Sequence, residues 1–283
     1  MSRNAREPTR ILCDRGYPIT PSPERPNPKL WRDRGLYAAW LGHSTVLLKL
    51  DGVTILTDPV LGNRVGVSLG PMTLGLKRLV APALRVHQLP KIDVLLLSHA
   101  HMDHFDLATL RALESRSTTV VTAAKTSDLL RTRRYAGVKE LGWGERTRVG
   151  PIGIRAFEVN HWGARMHGDT YRGYNGYLIE AGRYRVLFGG DTAATTAFRA
   201  LRVRGASIWP LCRWERTIPG YGTTALRNKP GRWATMRARR SSCRCITRPF
   251  HSAANRGTNR SNAFTGRPGK SPSGSASSAL GKR

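Results

Sequence analysis

Apolar and polar positions alternate along this chain in short runs rather than in long helical stripes. Residues 36–50 are rich in apolar and β-forming side chains, Asp51-Gly52 offers a tight turn, and residues 53–57 follow as a second strand. That order is the pattern of a β-hairpin. Scattered glycines and prolines make residues 60–90 read as a long loop. The continuous apolar run over 92–98 (IDVLLLS) predicts a buried strand. Helical spacing at Leu107, Leu110 and Leu113 predicts a helix over 106–115. Residues 118–123 read as a strand, 127–134 as a short helix, and 152–159 as an alternating strand. Residues 177–179 pair with 185–188 through a turn at Ala181-Gly182. Strands dominate with helices between them, which is an α/β class without internal repeats.

Composition changes the picture at both ends. Residues 1–35 are rich in arginine and proline (Pro18, Pro21, Pro23, Pro26, Pro28) and read as an extended leader, with order beginning near Leu36. Across all 283 residues, 40% are apolar, enough for a core and too many for global disorder. No uninterrupted apolar run approaches the ~18 residues that a membrane helix needs. The N-terminus carries positive charge with no apolar stretch behind it, so the expectation is a cytoplasmic protein without a secretory signal. Cys13, Cys212, Cys243 and Cys245 show no C-x-x-C spacing and make a weak case for disulfides or a thiolate metal site.

The formal net charge of +29 invites a nucleic-acid reading, but its distribution argues against one. Residues 206–283 hold sixteen bases and a single acid, Glu215, whereas residues 1–205 hold thirty-one bases and seventeen acids. In the same tail Leu, Ile, Val and Phe number only eight, too few to bury a core, so residues 206–283 are expected to be a disordered basic segment. The tail lacks interleaved aromatics and helical spacing of its bases, so nucleic acid is not the expected partner.

The chemistry concentrates in Ser98-His99-Ala100-His101-Met102-Asp103-His104, directly after the apolar strand. Imidazole and carboxylate are the ligands of Zn²⁺ and similar borderline cations. His99, His101 and Asp103 cannot all face one ion from a regular strand. A loop that turns after the strand can aim His99 and His101 at one metal, and Asp103 and His104 at its neighbour. His161 and Asp191 stand at equivalent places, each after a strand, and are the further ligand candidates.

On these residues the sequence resembles the metallo-β-lactamase superfamily, and more narrowly the bacterial relatives of N-acylphosphatidylethanolamine-hydrolysing phospholipase D. The likeness is carried by WLGHSTVLLKLDGVTILTDPV (40–60), LLLSHAHMDHFDLATL (95–110), NHW (160–162) and GGDT (189–192), within about residues 36–200. It implies a four-layer αββα sandwich over residues 36–205, incomplete at its C-terminal end, with a dinuclear zinc site on one edge. His99, His101 and His161 would hold one zinc, Asp103 and His104 the second, and Asp191 would bridge them. A water shared by the two ions would lose a proton near neutral pH and attack phosphorus or a carbonyl, oriented by Asp103. Asp103 and Asp191 are thus the expected catalytic carboxylates. His43, in the GHST turn, is expected either to support a ligand from behind or to be a buried structural histidine. His87 and His167 lack a motif and are expected at the surface.

The resemblance implies a small-molecule or phospholipid-like substrate, with peripheral membrane contact, for a phosphodiesterase. A lactonase or sugar-phosphate hydrolase of the same fold is the alternative. From another class, a non-catalytic basic nucleic-acid-binding protein would show salt-sensitive DNA retention surviving His99→Ala. Family members close the second zinc site with a histidine from a stretch resembling H-x-T-F near the C-terminus. Here only His251 follows Asp191, in TRPFHSAANRG, which does not match, so the resemblance implies an incomplete second site and impaired activity of this polypeptide. Regrouping the codon possibilities of residues 244–264 by one base permits Val-His-His-x-Thr-Phe-Pro-Leu-Gly-Arg-Glu-Pro, and residues 214–236 permit Gly-Ala-Tyr-Asn-Pro-Trp-Ile-Arg-Asn-His. The expectation is a frameshift, in the gene or in its reading, between about Thr192 and Ser207.

Overall fold

The computed structural model describes residues 18–69, 72–193, 195 and 208–214. In chain order its strands are β1 (Leu36–Gly42), β2 (Thr45–Leu50), β3 (Val53–Thr57), β4 (Arg64–Leu69), β5 (Met72–Lys77), β6 (Val94–Leu97), β7 (Thr119–Ala123) and β8 (Gly137–Leu141). They continue with β9 (Arg146–Val149), β10 (Ile152–Phe157), β11 (Gly176–Ala181), β12 (Tyr184–Thr192) and β13 (Ile208–Trp214), and one α-helix, α1 (Leu107–Ala112), follows β6.

Two sheets carry the fold. The first has the order β1-β2-β3-β6-β7-β8, antiparallel at β1-β2-β3 and parallel from β3 to β8. The second has the order β13-β12-β11-β10-β9, antiparallel except where β13 joins β12 in parallel. The two sheets share a core. Val46, Leu48, Ile55, Val94, Leu96 and Val121 of the first meet Ile152, Ile154, Tyr177, Ile179 and Phe188 of the second. The strict period of two in strands is what splits each one between faces. Leu47, Leu56, Leu95, Leu97 and Val120 point the other way, onto Phe105, Leu110 and Tyr135, so α1 and its neighbours form an outer layer. On the far face of the second sheet Phe157, Leu178 and Leu187 form a small cluster. Among the described residues no α-helix covers it, so three of the four expected layers are described.

Several elements differ from the sequence expectation. Residues 36–50 are two strands rather than one, because Gly42 (φ 121) and His43 (φ 52) leave the extended region in succession and turn the chain. Residues 60–90 are not all loop, since β4 and β5 pair along their full length. Gly66 and Gly75 lie opposite each other there, and a Cβ on either would come within 2.7 Å of the other's Cα. The glycines that suggested a loop instead permit close backbone approach. Residues 127–134 form two 3-10 turns, Ser127–Leu129 and Thr132–Arg134, in place of one short helix. Polar edge strands β8 and β9, with Lys139, Glu140, Arg146 and Arg148 along them, carry too few apolar positions to announce themselves.

Order begins before Leu36. The Thr20 amide donates to the Leu79 carbonyl (2.9 Å), Ala81 donates back to Thr20 (2.8 Å), and Trp31 packs on the outer core. At the other end β13 runs past the boundary at 205, using the last strongly apolar run of the chain. His251 and the remainder of the basic tail lie outside the described residues. Among the described residues no helix is long and apolar enough to cross a membrane.

Candidate metal centre

The ends of β1, β3, β6, β10 and β12 meet at one edge of the two sheets. β6 stops at Leu97, and the chain turns through residues 99–104 into α1, whose first turn is capped by the Asp106 carboxylate on the Thr109 amide (3.2 Å). The turn is closed by the His104 and Phe105 amides on the His101 carbonyl (3.0 and 2.7 Å), and Arg165 braces it by donating to the Ala100 and Phe105 carbonyls. The opposite sheet is pinned to this point: Asn175 donates its amide to the Ser98 carbonyl, and the Tyr177 hydroxyl donates to Leu97. Gly190 (φ 57) lets β12 pass Ser98, since a Cβ there would lie 2.7 Å from the Ser98 Cβ.

Three ring nitrogens converge. His99 Nε2 lies 2.8 Å from His101 Nδ1 and 3.1 Å from His161 Nε2, and His161 Nε2 lies 3.2 Å from His101 Nδ1. Donors on a tetrahedral ion at about 2.1 Å sit about 3.4 Å apart, close to this triangle. Burial, followed by its histidine neighbours, holds His99 well below the usual imidazole range. Burial also lowers His101, and lowers His161 to about 4. All three are therefore neutral near pH 7, the form in which imidazole binds metal. His99 Nδ1 is fixed by the Ser98 hydroxyl at 2.8 Å, and the buried Nε2 of His101 has no hydrogen-bond partner among the described residues. Crowded, neutral, lone-pair-bearing nitrogens of this kind fit a divalent cation.

A second group adjoins the first. His104 Nε2 is 3.1 Å from Asp191 Oδ2 and 3.9 Å from Asp103 Oδ2, and Asp103 Oδ2 is 2.9 Å from His43 Nε2. His43, Asp103 and His104 offer donor atoms all within 4.8 Å of one another. Burial opposes protonation of His104, yet Asp191 and Asp58 outweigh it and hold the imidazole well above its usual range. Burial likewise favours the protonated Asp103 carboxyl, but His43 and His104 overcome it and keep the carboxylate charged. Asp191 meets His104 directly, and its negative charge works against the lowering of His101 and His161.

Every ligand candidate from the sequence (His99, His101, Asp103, His104, His161, Asp191) lies in these two groups, and His87 and His167 are exposed. Sequence reasoning assigned no role to Asp58. Wholly buried at the end of β3, it accepts from His104 Nδ1 (2.7 Å), the Ser98 amide (2.7 Å) and the Ser98 hydroxyl (2.5 Å). Because its carboxylate neighbours hold His104 protonated, Nδ1–H donates to Asp58 while Nε2 faces Asp191 and Asp103. The signal was present in the DPV tripeptide after an apolar strand, but its meaning depends on the β3–β6 pairing. Trp162, with its ring centroid 4.6 Å from that of His101, is a second residue without an assigned role.

With this geometry in place the comparisons are decisive for the family. The model described as "Beta-lactamase superfamily domain" matches residues 53–239, about two thirds of the chain. The chain belongs to this superfamily. An uncharacterised Mycobacterium tuberculosis protein is 30% identical over 195 residues, covering 66% of this chain and 50% of its own length. The N-acyl-phosphatidylethanolamine-hydrolyzing phospholipase D 1 of Caenorhabditis elegans is 30% identical over 173 residues, covering 56% and 48%. A metal-dependent hydrolase of Exiguobacterium sp. is 30% identical over 157 residues, covering 54% and 62%. The chain thus spans about half the length of the mycobacterial and nematode relatives. Among solved structures it is similar to the metallo hydrolase Igni18 of Ignicoccus hospitalis (20% identity, TM-score 0.42, 57% of this chain and 63% of that one). It is also similar to the diiron β-hydroxylase CmlA of Streptomyces venezuelae (27% identity, TM-score 0.44, 60% and 33%).

Proposed function

We propose that this superfamily member is a zinc-dependent phosphodiesterase acting on a phospholipid-like or other phosphodiester. The observation that carries the metal reading is the triangle of His99, His101 and His161 nitrogens at 2.8–3.2 Å beside the Asp103–His104–Asp191 group. The phosphodiester reading rests on the named phospholipase relative. His99, His101 and His161 would hold one ion, and Asp103, His104 and Asp191 would contribute to a second. Imidazole and carboxylate donors suit zinc, and the same set accepts iron. Bound ions supply Lewis acidity to a phosphoryl oxygen and a water-derived nucleophile at neutral pH.

The remaining work falls to the chain's own groups. The Asp103 side chain is 37% exposed, the most open of the charged donors, and its carboxylate orients water at the mouth of the site. Asp58 keeps the Nδ1 proton of His104 in place throughout, so Nε2 stays available toward the substrate side. Exposed Trp162, whose ring lies beside His101, offers apolar surface to an acyl chain. The proposed setting is cytoplasmic, with peripheral contact to a membrane surface.

The test is metal analysis of the purified chain, together with hydrolysis of a chromogenic phosphodiester, N-acylphosphatidylethanolamine vesicles and a lactone. Zinc and phosphodiester turnover, both lost in His99→Ala, are the expected result. Turnover of the lactone alone would overturn the substrate class, and iron as the bound metal would overturn zinc.

A further inference from the structure

The second group of donors contains Asp103, His104 and Asp191, and the chain has few histidines left to complete it. Of its eight histidines only His251 follows Asp191, in a context unlike a ligand motif and outside the described residues. His43 already stands at this place. Its Nε2 lies 2.9 Å from Asp103 Oδ2, and its ring centroid lies 5.3 Å from that of His104. Donor separations of 2.9 Å (His43 to Asp103) and 3.9 Å (His104 to Asp103) bracket the roughly 3.4 Å expected on one tetrahedral ion.

The backbone is built to aim this ring. His43 occupies the left-handed region (φ 52) between β1 and β2, a conformation that a residue other than glycine adopts only with backbone strain. Its carbonyl is tied down by the Trp40 indole N–H at 2.7 Å. The next residue, Ser44, is buried with its hydroxyl 3.4 Å from His104 Nε2, so the whole turn faces the second group. The side chain itself is only 19% exposed.

We propose that His43 is a ligand, through Nε2, of a second divalent cation held with Asp103, His104 and Asp191, taking the place that a C-terminal histidine fills in the family. This rests on the metal-hydrolase reading above. The competing role is a hydrogen bond, with Nε2–H donating to Asp103, and the two roles respond differently to substitution. Glutamine keeps an N–H for Asp103 but is a poor ligand, whereas cysteine binds metal and gives a new optical signature.

The full-length chain is stripped with chelator, dialysed against Zn²⁺ or Co²⁺, and counted for metal per chain, with circular dichroism checking that each variant folds. Two ions in the unaltered chain, one in His43→Gln, and a near-ultraviolet sulfur-to-cobalt band in Co²⁺-loaded His43→Cys are the expected results. Two ions in His43→Gln, or no such band in His43→Cys, overturn ligation and leave His43 as a hydrogen-bond donor. A single ion in the unaltered chain that His99→Ala removes overturns this inference and leaves the metal-hydrolase reading standing. No bound ion at all overturns both.

Discussion

Asp58 offers the sharpest test of how the site is held. Its carboxylate is fully buried and accepts three hydrogen bonds, from the Ser98 amide, the Ser98 hydroxyl and the protonated Nδ1 of His104. Replacing it by alanine leaves the Ser98 amide orphaned, at about 1–3 kcal/mol, and a buried imidazolium short of a partner, while the Ser98 hydroxyl keeps only His99 Nδ1. Breaking a buried ion pair from one side costs about 3–5 kcal/mol, so Asp58→Ala is expected to lose about 4 kcal/mol, a large share of a typical domain's stability. Asp58→Asn retains one acceptor for the Ser98 amide but turns an N–H toward other donors, and is expected to lose about 2 kcal/mol. Urea unfolding of the chelator-treated chain, followed by tryptophan fluorescence, measures both. Metal affinity should fall about 10–100-fold in Asp58→Asn, as for other groups that orient a ligand from behind. A loss below about 1 kcal/mol for Asp58→Ala would refute the argument, because it would mean that water reaches this carboxylate or that His104 is neutral.

Further predictions follow from the same geometry. In the metal-free chain, His99 and His161 stay neutral in the fold, His161 down to about 4, so the unfolded state takes up protons first and stability should fall as pH drops from about 6.5 toward 4. His104 behaves oppositely: its raised value contributes stability below about 6.5 that is lost as pH rises through its folded pKa. Thermal midpoints of chelated protein between pH 4 and 9 should therefore decline on both flanks, and a midpoint that climbs as pH falls from about 6.5 toward 4 contradicts the assignment. Gly190→Ala places a Cβ 2.7 Å from the Ser98 Cβ at φ 57 and should cost about 1–3 kcal/mol in urea unfolding, whereas Gly168→Ala, with open space around it, should change little. Sequencing the gene across codons 190–215 should reveal one extra or missing base, and an unbroken frame would make the basic tail genuine.

What could be read from the sequence and what could not divide along a physical line. Ligands carried on a single loop are legible, because the H-x-H-x-D-H spacing compresses four donors into six residues that no ordinary turn needs. Central strands are legible for a similar reason, since a strand buried on both faces, such as β6, is apolar throughout. Edge strands β8 and β9 face water on one side and carry charge there, and the β4–β5 ribbon hides behind two glycines, so neither stands out from loop composition. The division of residues 36–50 into β1 and β2 is hidden by the apolar runs on both sides of the GHST turn, where Gly42 and His43 redirect the chain. Asp58 reads as an ordinary residue before a proline until β3 and β6 align in parallel and bring it to Ser98 and His104. The electrostatic contrast within the site has the same non-local origin. His99 and His104 sit five residues apart in one motif, yet one is driven neutral by burial among histidines and the other is held charged by carboxylates from β3 and β12. The motif therefore specifies which atoms can bind metal, while the pairing of strands specifies which of them must first lose a proton.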